Sequence, residues 1–249
     1  MSPRTVGVQN IDALRLRLTA AVTLDELHAL CREHSEALGF QHFVYALRVP
    51  THFADARLIM IDGYPPGWVK HYFEQSHFDA DPVMAYCTRH VVPVCWSDLS
   101  LEPGSQAERM MQEAAGFGLR DGVTMPLHSP QGELGILSLA VDAPAEEARA
   151  ISQRALSHVQ VLAGYLHEAV RRVSGLLHNG GPNLTPREIE CLRWAADGKT
   201  SGEIAQLLGL SESTANFHLN NAMRKLDVVN RQHAVAKAAL QGLIQPRPF

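Results

Sequence analysis

The sequence predicts an α+β chain: an N-terminal α-β-α sandwich around an antiparallel sheet of about five strands, then a small all-helical C-terminal domain of about four helices. Three observations carry that expectation. As far as residue 173, alternating runs rich in β-branched and aromatic residues are interleaved with amphipathic helical runs. Residues 174–183, SGLLHNGGPN, resist both helix and strand through Gly180, Gly181 and Pro182. Beyond them every apolar run has helical spacing and a capping residue in front of it. The expected division is therefore a domain at 1–173, a linker at 174–183 and a second domain at 184–249.

In order, residues 11–21 read as an amphipathic helix. Thr23, with Glu26 three residues later, caps a second that runs to Leu38 and ends at Gly39. Residues 43–49 and 57–62 read as strands joined by a turn near 52–55. Pro65-Pro66 breaks the sheet and opens a helix over 67–76, and another follows Asp81-Pro82. Residues 91–95 make a short strand, and 106–115 a helix closed by Gly116. A hairpin pairs 122–127 with 133–141 around the turn at 129–132. The long helix 144–173 carries a stripe of Ile151, Ala155, Val159, Leu162, Leu166, Ala169 and Val173.

After the linker, Thr185, Pro186 and Glu188 form a capping-box start for a helix with Ile189, Leu192 and Ala196 on one face, stopping near Asp197-Gly198. Thr200 or Ser201 caps the next, whose apolar residues are Ile204, Leu207 and Leu208, and Gly209 ends it. Ser211 caps a third over 212–226, and a final helix follows over 231–242. In the third helix Ala215, Leu219, Ala222 and Leu226 fall on the inner face. Thr214, Asn216, Phe217, Asn220, Asn221 and Lys225 are left outward. Two short helices joined through a glycine turn form a helix-turn-helix, whose second helix enters the major groove of double-stranded DNA. Asparagine amides can pair with adenine, Thr and Phe can touch a thymine methyl, and Lys199, Arg224, Lys225 and Arg231 are available to phosphates. The alternative is a solvated helix in an ordinary bundle.

Formal net charge is −4, unexpected for a DNA binder, but residues 183–249 hold eight Lys+Arg against six Asp+Glu. That part is +2 and the remainder −6. A weakly basic unit gains from two copies on one DNA site. Cys31, Cys87, Cys95 and Cys191 lack metal-ligand spacing and read as buried reduced thiols, and no run spans a bilayer, so a cytoplasmic location is expected. There is no G-x-S-x-G, and the zinc-like string His167-Glu168-x-x-Arg171 lacks its second His, so no catalytic set or metal site emerges.

The segment 63–86, GYPPGWVKHYFEQSHFDADPVMAY, places Tyr64, Trp68 and Tyr72 four residues apart, ahead of Asp81. Aromatics at this spacing are ordinarily core, and Asp81 before Pro82 is a ready helix cap. Buried Tyr, Trp and Asp nevertheless need polar partners, which a ligand with one amide N–H and two carbonyls would supply.

Residues 185–244 resemble the DNA-binding domain of the LuxR/FixJ superfamily. The resemblance is carried by Glu188, Leu192, Gly198, Lys199, Thr200, Glu203, Ile204, Ala205, His218, Lys225, Leu226, Asn230 and Arg231. It adds Thr200 to the DNA-facing set. Ala215 and Ala222 depart from the usual Val and Ile, a lighter core. The first domain resembles the autoinducer-binding domain of LuxR-type quorum-sensing regulators, near the LasR-like branch. The matching residues are Tyr64, Trp68, Tyr72, Asp81-Pro82, Trp96, Gly118, Gly122, Thr124 and Pro126, and the run GELGILSLA.

The resemblance implies an N-acyl-homoserine lactone as ligand, no other cofactor, and control of quorum-sensing genes. Trp68 would donate to the lactone carbonyl, Asp81 accept from the amide, and Tyr64 with Ser138 donate to the acyl carbonyl. Tyr72 and Trp96 would wall the ligand, while Leu58, Met60, Met84, Leu134 and Ile136 would line the acyl path. It also implies a homodimer formed through the first domain and the final helix, with Ala234, Ala238 and Leu243 in contact, a partly palindromic promoter site, and RNA polymerase as a partner. Val83 stands in place of Thr and Val69 in place of Arg, so no 3-oxo group is expected to be required. A regulator of the same build answering a non-lactone small molecule is the alternative. A response regulator is not, because the first domain lacks the phosphoacceptor order.

Overall fold

The computed structural model describes residues 11–52, 55–130, 132–177 and 182–246. The expected turn at 52–55 and the linker at 174–183 thus fall partly outside the described residues. The chain forms two compact units, the first built on residues 11–48, 58–128 and 134–177 and the second centred on 182–246.

The first unit opens with α1 (Ile11–Ala20) and α2 (Leu24–Leu38). The Thr23 hydroxyl accepts from Glu26 N at 3.2 Å, and Gly39 closes α2 in the left-handed conformation. Next come β1 (His42–His52), β2 (Asp55–Gly63), α3 (Trp68–Glu74), a 3-10 turn at His77–Asp79 and α4 (Pro82–Cys87). Then β3 (Val94–Cys95), a 3-10 turn at Trp96–Asp98, α5 (Gln106–Gly116), β4 (Asp121–His128), β5 (Leu134–Val141) and α6 (Ala145–Val173) complete the unit.

The five strands form one sheet in the order β2-β1-β5-β4-β3. β5 pairs antiparallel with β1 and β4, and β4 with β3. Paired residues share a face, so the register sorts the sheet. Tyr45, Leu137 and Met125 line one side, where the Tyr45 hydroxyl meets His167 Nδ1 of α6 at 2.7 Å. Val44, Ser138 and Thr124 line the other, with Ala140 and Gly122. That second face takes the packing of α3, α4 and α5: Trp68, Val83, Cys87, Trp96, Met110, Ala114, Leu119 and Ala140 form one buried cluster.

Three expectations need adjustment. β3 is two residues long, because Pro93 has no N–H to pair, and Val91 and Val92 stay exposed. The left-handed residue after α5 is Gly118, not Gly116, which still belongs to the helix. On α6, Ile151 and Val173 are half-buried, while Ala148, Ser152, Ala163 and Val170 join the inner face.

The second unit comprises α7 (Pro186–Ala196), α8 (Ser201–Leu208), α9 (Glu212–Lys225) and α10 (Arg231–Leu240). Complete capping boxes start α7 at Thr185 with Glu188 and α8 at Thr200 with Glu203. Gly209 ends α8 in the left-handed region, and Ser211 caps α9 by accepting from Thr214 N. Its core gathers Leu184, Cys191, Leu192, Ile204, Ala205, Ala215, Leu219, Ala222 and Leu226. Ala196 and Leu207 are exposed rather than inward, their places taken by Cys191 and Ala205. Among the described residues no helix is long and apolar enough to cross a membrane, and the four cysteines are free and buried.

Candidate functional site

Gly67, in the left-handed conformation, turns the chain out of Pro65-Pro66 and into α3. That turn drives the first helical residue, Trp68, into the interior, where 4% of it stays exposed. Its ring meets Tyr72 edge-on at 6.0 Å, stacks on His77 at 5.9 Å and lies 5.3 Å from Phe117. Tyr64 and Tyr72 pack against the same buried cluster.

Asp81 caps α4. One carboxylate oxygen accepts from Val83 N at 2.7 Å and Met84 N at 3.2 Å, and the other from the Tyr72 hydroxyl at 2.9 Å. A carboxylate offers about four acceptor positions, so three are filled and one remains. Burial pushes the Asp81 carboxyl above its usual range, against the bonds from Tyr72, Met84 and Val83. Burial likewise pushes the Tyr72 hydroxyl up, reinforced by Asp81. The Tyr64 hydroxyl is pushed up by burial, with Ser138 opposing the shift.

A second polar line crosses the sheet. Trp96 Nε1 donates to Thr124 Oγ1 at 2.8 Å, and Thr124 Oγ1 lies 2.8 Å from Ser138 Oγ. An indole N–H can only donate, so Thr124 accepts from it and can pass its own hydroxyl hydrogen to Ser138. The Ser138 hydrogen is then left for the Tyr64 hydroxyl, its other hydrogen-bond partner. Gly122 makes this possible: a Cβ there would stand 2.4 Å from the Leu139 carbonyl and 3.0 Å from the Trp96 ring. Thr124 is the residue that sequence reading left out of the site. A hydroxyl inside an otherwise apolar strand was the available signal, since a buried hydroxyl needs partners.

The structure thus brings Tyr64, Trp68, Tyr72, Asp81, Val83, Trp96, Ile136 and Ser138 to one side of the sheet. The acyl-path set is less uniform. Leu134 is buried, but Leu58 is 47% exposed, alternating on β2 with buried Ile59 and Ile61. Met60 and Met84 are half-buried.

In the second unit α9 presents Phe217, 60% exposed, and Asn220 outward, with Asn216 and Arg224 also exposed. Thr214 and Asn221 are half-buried. Asn216 Oδ1 accepts from Ser201 Oγ at 2.6 Å, tying α9 to α8, and Arg224 donates to Asn221 at 3.2 Å. Lys199 forms a loose ion pair with Glu203, and Thr200 serves as the α8 cap. Two of the four cations expected at phosphates are engaged internally. Lys225 Nζ bonds buried Glu188 at 2.7 Å and the Asn183 carbonyl at 2.9 Å, while the Arg231 guanidinium donates to the Lys199 carbonyl. Burial pushes the Glu188 carboxyl up, but Lys225 and Thr185 outweigh it and hold the group below its usual range. Ala234 and Ala238, expected at a dimer contact, are wholly buried in this unit's own core, with Leu243 packed on it, because α10 needs its small face to close over α7.

Set beside known proteins, residues 23–170 match the family described as the autoinducer binding domain, and residues 182–238 match bacterial regulatory proteins, luxR family. The transcriptional activator protein AhyR of Aeromonas hydrophila is 36% identical over 239 residues, spanning 92% of this chain and 89% of that protein. The crystal structure of Escherichia coli SdiA superposes with a TM-score of 0.78 at 30% identity, covering 94% of this chain and 98% of that one. SdiA in complex with octanoyl-rac-glycerol gives 0.77 at 28% identity, covering 96% of each chain.

Proposed function

The chain belongs to the LuxR-type family of autoinducer-binding transcriptional regulators, and from that membership we propose that it binds an N-acyl-homoserine lactone on the sheet face that carries Asp81. The family is one of regulators, not enzymes. As a homodimer the protein then recognises a partly palindromic promoter site and, with RNA polymerase, activates quorum-sensing genes from the cytoplasm. The domain limits we assign are 1–173 for sensing and 184–249 for DNA.

The observation that carries this reading is the buried Asp81 carboxylate with one acceptor position unfilled. The lactone amide N–H fills it. Trp68 donates to the ring carbonyl, and Tyr64 together with Ser138 donates to the acyl carbonyl. Each bond left unmade in such a site costs about 1–3 kcal/mol, so head-group recognition is strict. Apolar Val83 and Val69 offer no group for a 3-oxo oxygen, so we assign no requirement for it. On DNA, Thr214, Asn216, Phe217, Asn220 and Asn221 read the major groove. Lys199, Thr200 and Arg224 meet phosphates, while Lys225 and Arg231 fix the frame that presents them.

A second reading rests on the octanoyl-rac-glycerol in SdiA: an acyl glycerol in place of the lactone. Thermal melting of the full chain with lactones of varied chain length and 3-substitution, and with octanoylglycerol, decides between them. We expect a chain-length-dependent rise with lactones that disappears in Asp81→Ala. A rise with octanoylglycerol alone would replace the lactone reading, and a rise only with 3-oxo lactones would overturn the assignment of Val69 and Val83.

A further inference from the structure

Three metal-ligating side chains meet at a place that the lactone reading does not use. His71 lies on α3 one residue before Tyr72, His77 in the 3-10 turn, and Glu113 on α5. Both imidazole Nε2 atoms converge on one Glu113 carboxylate oxygen, at 2.8 Å from His71 and 3.0 Å from His77. The three ligand atoms all lie within 4.8 Å of one another.

Their placement is built rather than incidental to a mobile surface. His77 is buried, stacked on Trp68 with ring planes 24° apart and 5.4 Å from the His71 ring. Ser76, just before it, holds the left-handed backbone that side-chain-bearing residues seldom adopt, and this turns His77 inward. The Nδ1 atom of His77 is buried without a partner, so Nε2 is the side of the ring through which it gains an interaction.

We propose that His71, His77 and Glu113 bind a divalent transition-metal ion of the zinc type. Two imidazoles and a carboxylate, with a solvent position left over, are a donor set that such an ion accepts and that calcium or magnesium does not favour. Zinc bonds of about 2.0–2.1 Å place tetrahedral ligand atoms roughly 3.3 Å apart. The two nitrogen–oxygen distances need to open only slightly, and the two imidazoles to close on each other. The half-exposed sides of His71 and Glu113 supply the entry path. An ion there clamps α3, the 3-10 turn and α5 together, the elements that hold Trp68 and Tyr72. Metal occupancy therefore stiffens the aromatic wall of the site.

The test uses the full chain freed of any polyhistidine tag. It is titrated with Co²⁺ under visible absorption and melted with and without Zn²⁺. We expect one equivalent of Co²⁺ to give a weak d–d band without the intense thiolate charge-transfer band, and Zn²⁺ to raise the melting temperature. His71→Gln and Glu113→Gln, each compared with its own metal-free melt, should weaken binding at least about tenfold. Absence of a band, an unchanged response in both variants, or a thiolate band placing the ion on cysteine would each overturn the proposal. The cluster would then be a hydrogen-bonded staple between α3 and α5.

Discussion

Each unit buries a carboxylate, and the two are finished differently. In the second unit Glu188 has a cation beside it, Lys225, together with the Thr185 amide, and its pKa is driven down. In the first, Asp81 accepts only from neutral donors, the Tyr72 hydroxyl and two backbone amides, and burial drives its pKa up. The contrast teaches what each half is for. A DNA-reading unit presents a fixed face, so its polar groups close on one another. In the sensing unit the buried carboxylate has no bonded cation to balance it among the described residues, which is where the proposed ligand would act. On the proposed reading, stability in the first half is linked to ligand and in the second it is not.

The largest effect should come from breaking the closed half. Lys225→Met leaves Glu188 buried and unpaired, at a cost of about 3 kcal/mol, the lower end for a buried pair because Lys225 itself reaches solvent. Urea unfolding should show the loss in the second unit, with lactone response kept. If the first unit is lost equally, the two halves do not unfold independently.

Next is Thr124→Val, nearly isosteric, which strands the Trp96 N–H and removes the partner of Ser138. It should cost about 1–3 kcal/mol in the ligand-free melt and weaken lactone binding further. A smaller loss of about 1 kcal/mol is expected for Thr200→Ala, which removes the α8 cap, read as a lower melting temperature of the second unit.

The smallest effect is the most discriminating, because the two carboxylates carry opposite signs. Glu188, depressed in the folded state, contributes stability above its unfolded pKa and loses it as pH falls through its folded pKa. Asp81, raised, binds its proton more tightly when folded, so its contribution falls as pH rises through its folded pKa. On acidification, nuclear magnetic resonance signals of the second unit should report loosening before those of the first. Lactone affinity should drop as Asp81 protonates, since a neutral carboxyl is a poorer acceptor. Parallel trends in both units would remove the contrast.

Much of this was legible in the sequence where the cause is local. Thr23, Thr185, Thr200 and Ser211 announce their helices because a capping hydroxyl acts within three residues. Ala215, Leu219, Ala222 and Leu226 announce an inner face by spacing alone. What was illegible depends on partners far apart in the chain. The Lys225–Glu188 bond joins residues 37 positions apart, so the sequence did not reveal the carboxylate that Lys225 pairs with. Trp96 reaches Thr124 across 28 positions and His71 reaches Glu113 across 42, and neither pairing leaves a periodic trace. The exposure of Leu58 was hidden for another reason: strand alternation gives two faces but not which of them is covered.

Hydrogen exchange on the full chain, with and without an N-acyl-homoserine lactone, tests the contrast most directly. The account predicts that ligand raises protection in α3, α4, β4 and β5 while α7 and α8 stay unchanged, and that Asp81→Ala abolishes the rise. Equal gains in both units, or a gain in the first unit that survives Asp81→Ala, would contradict it.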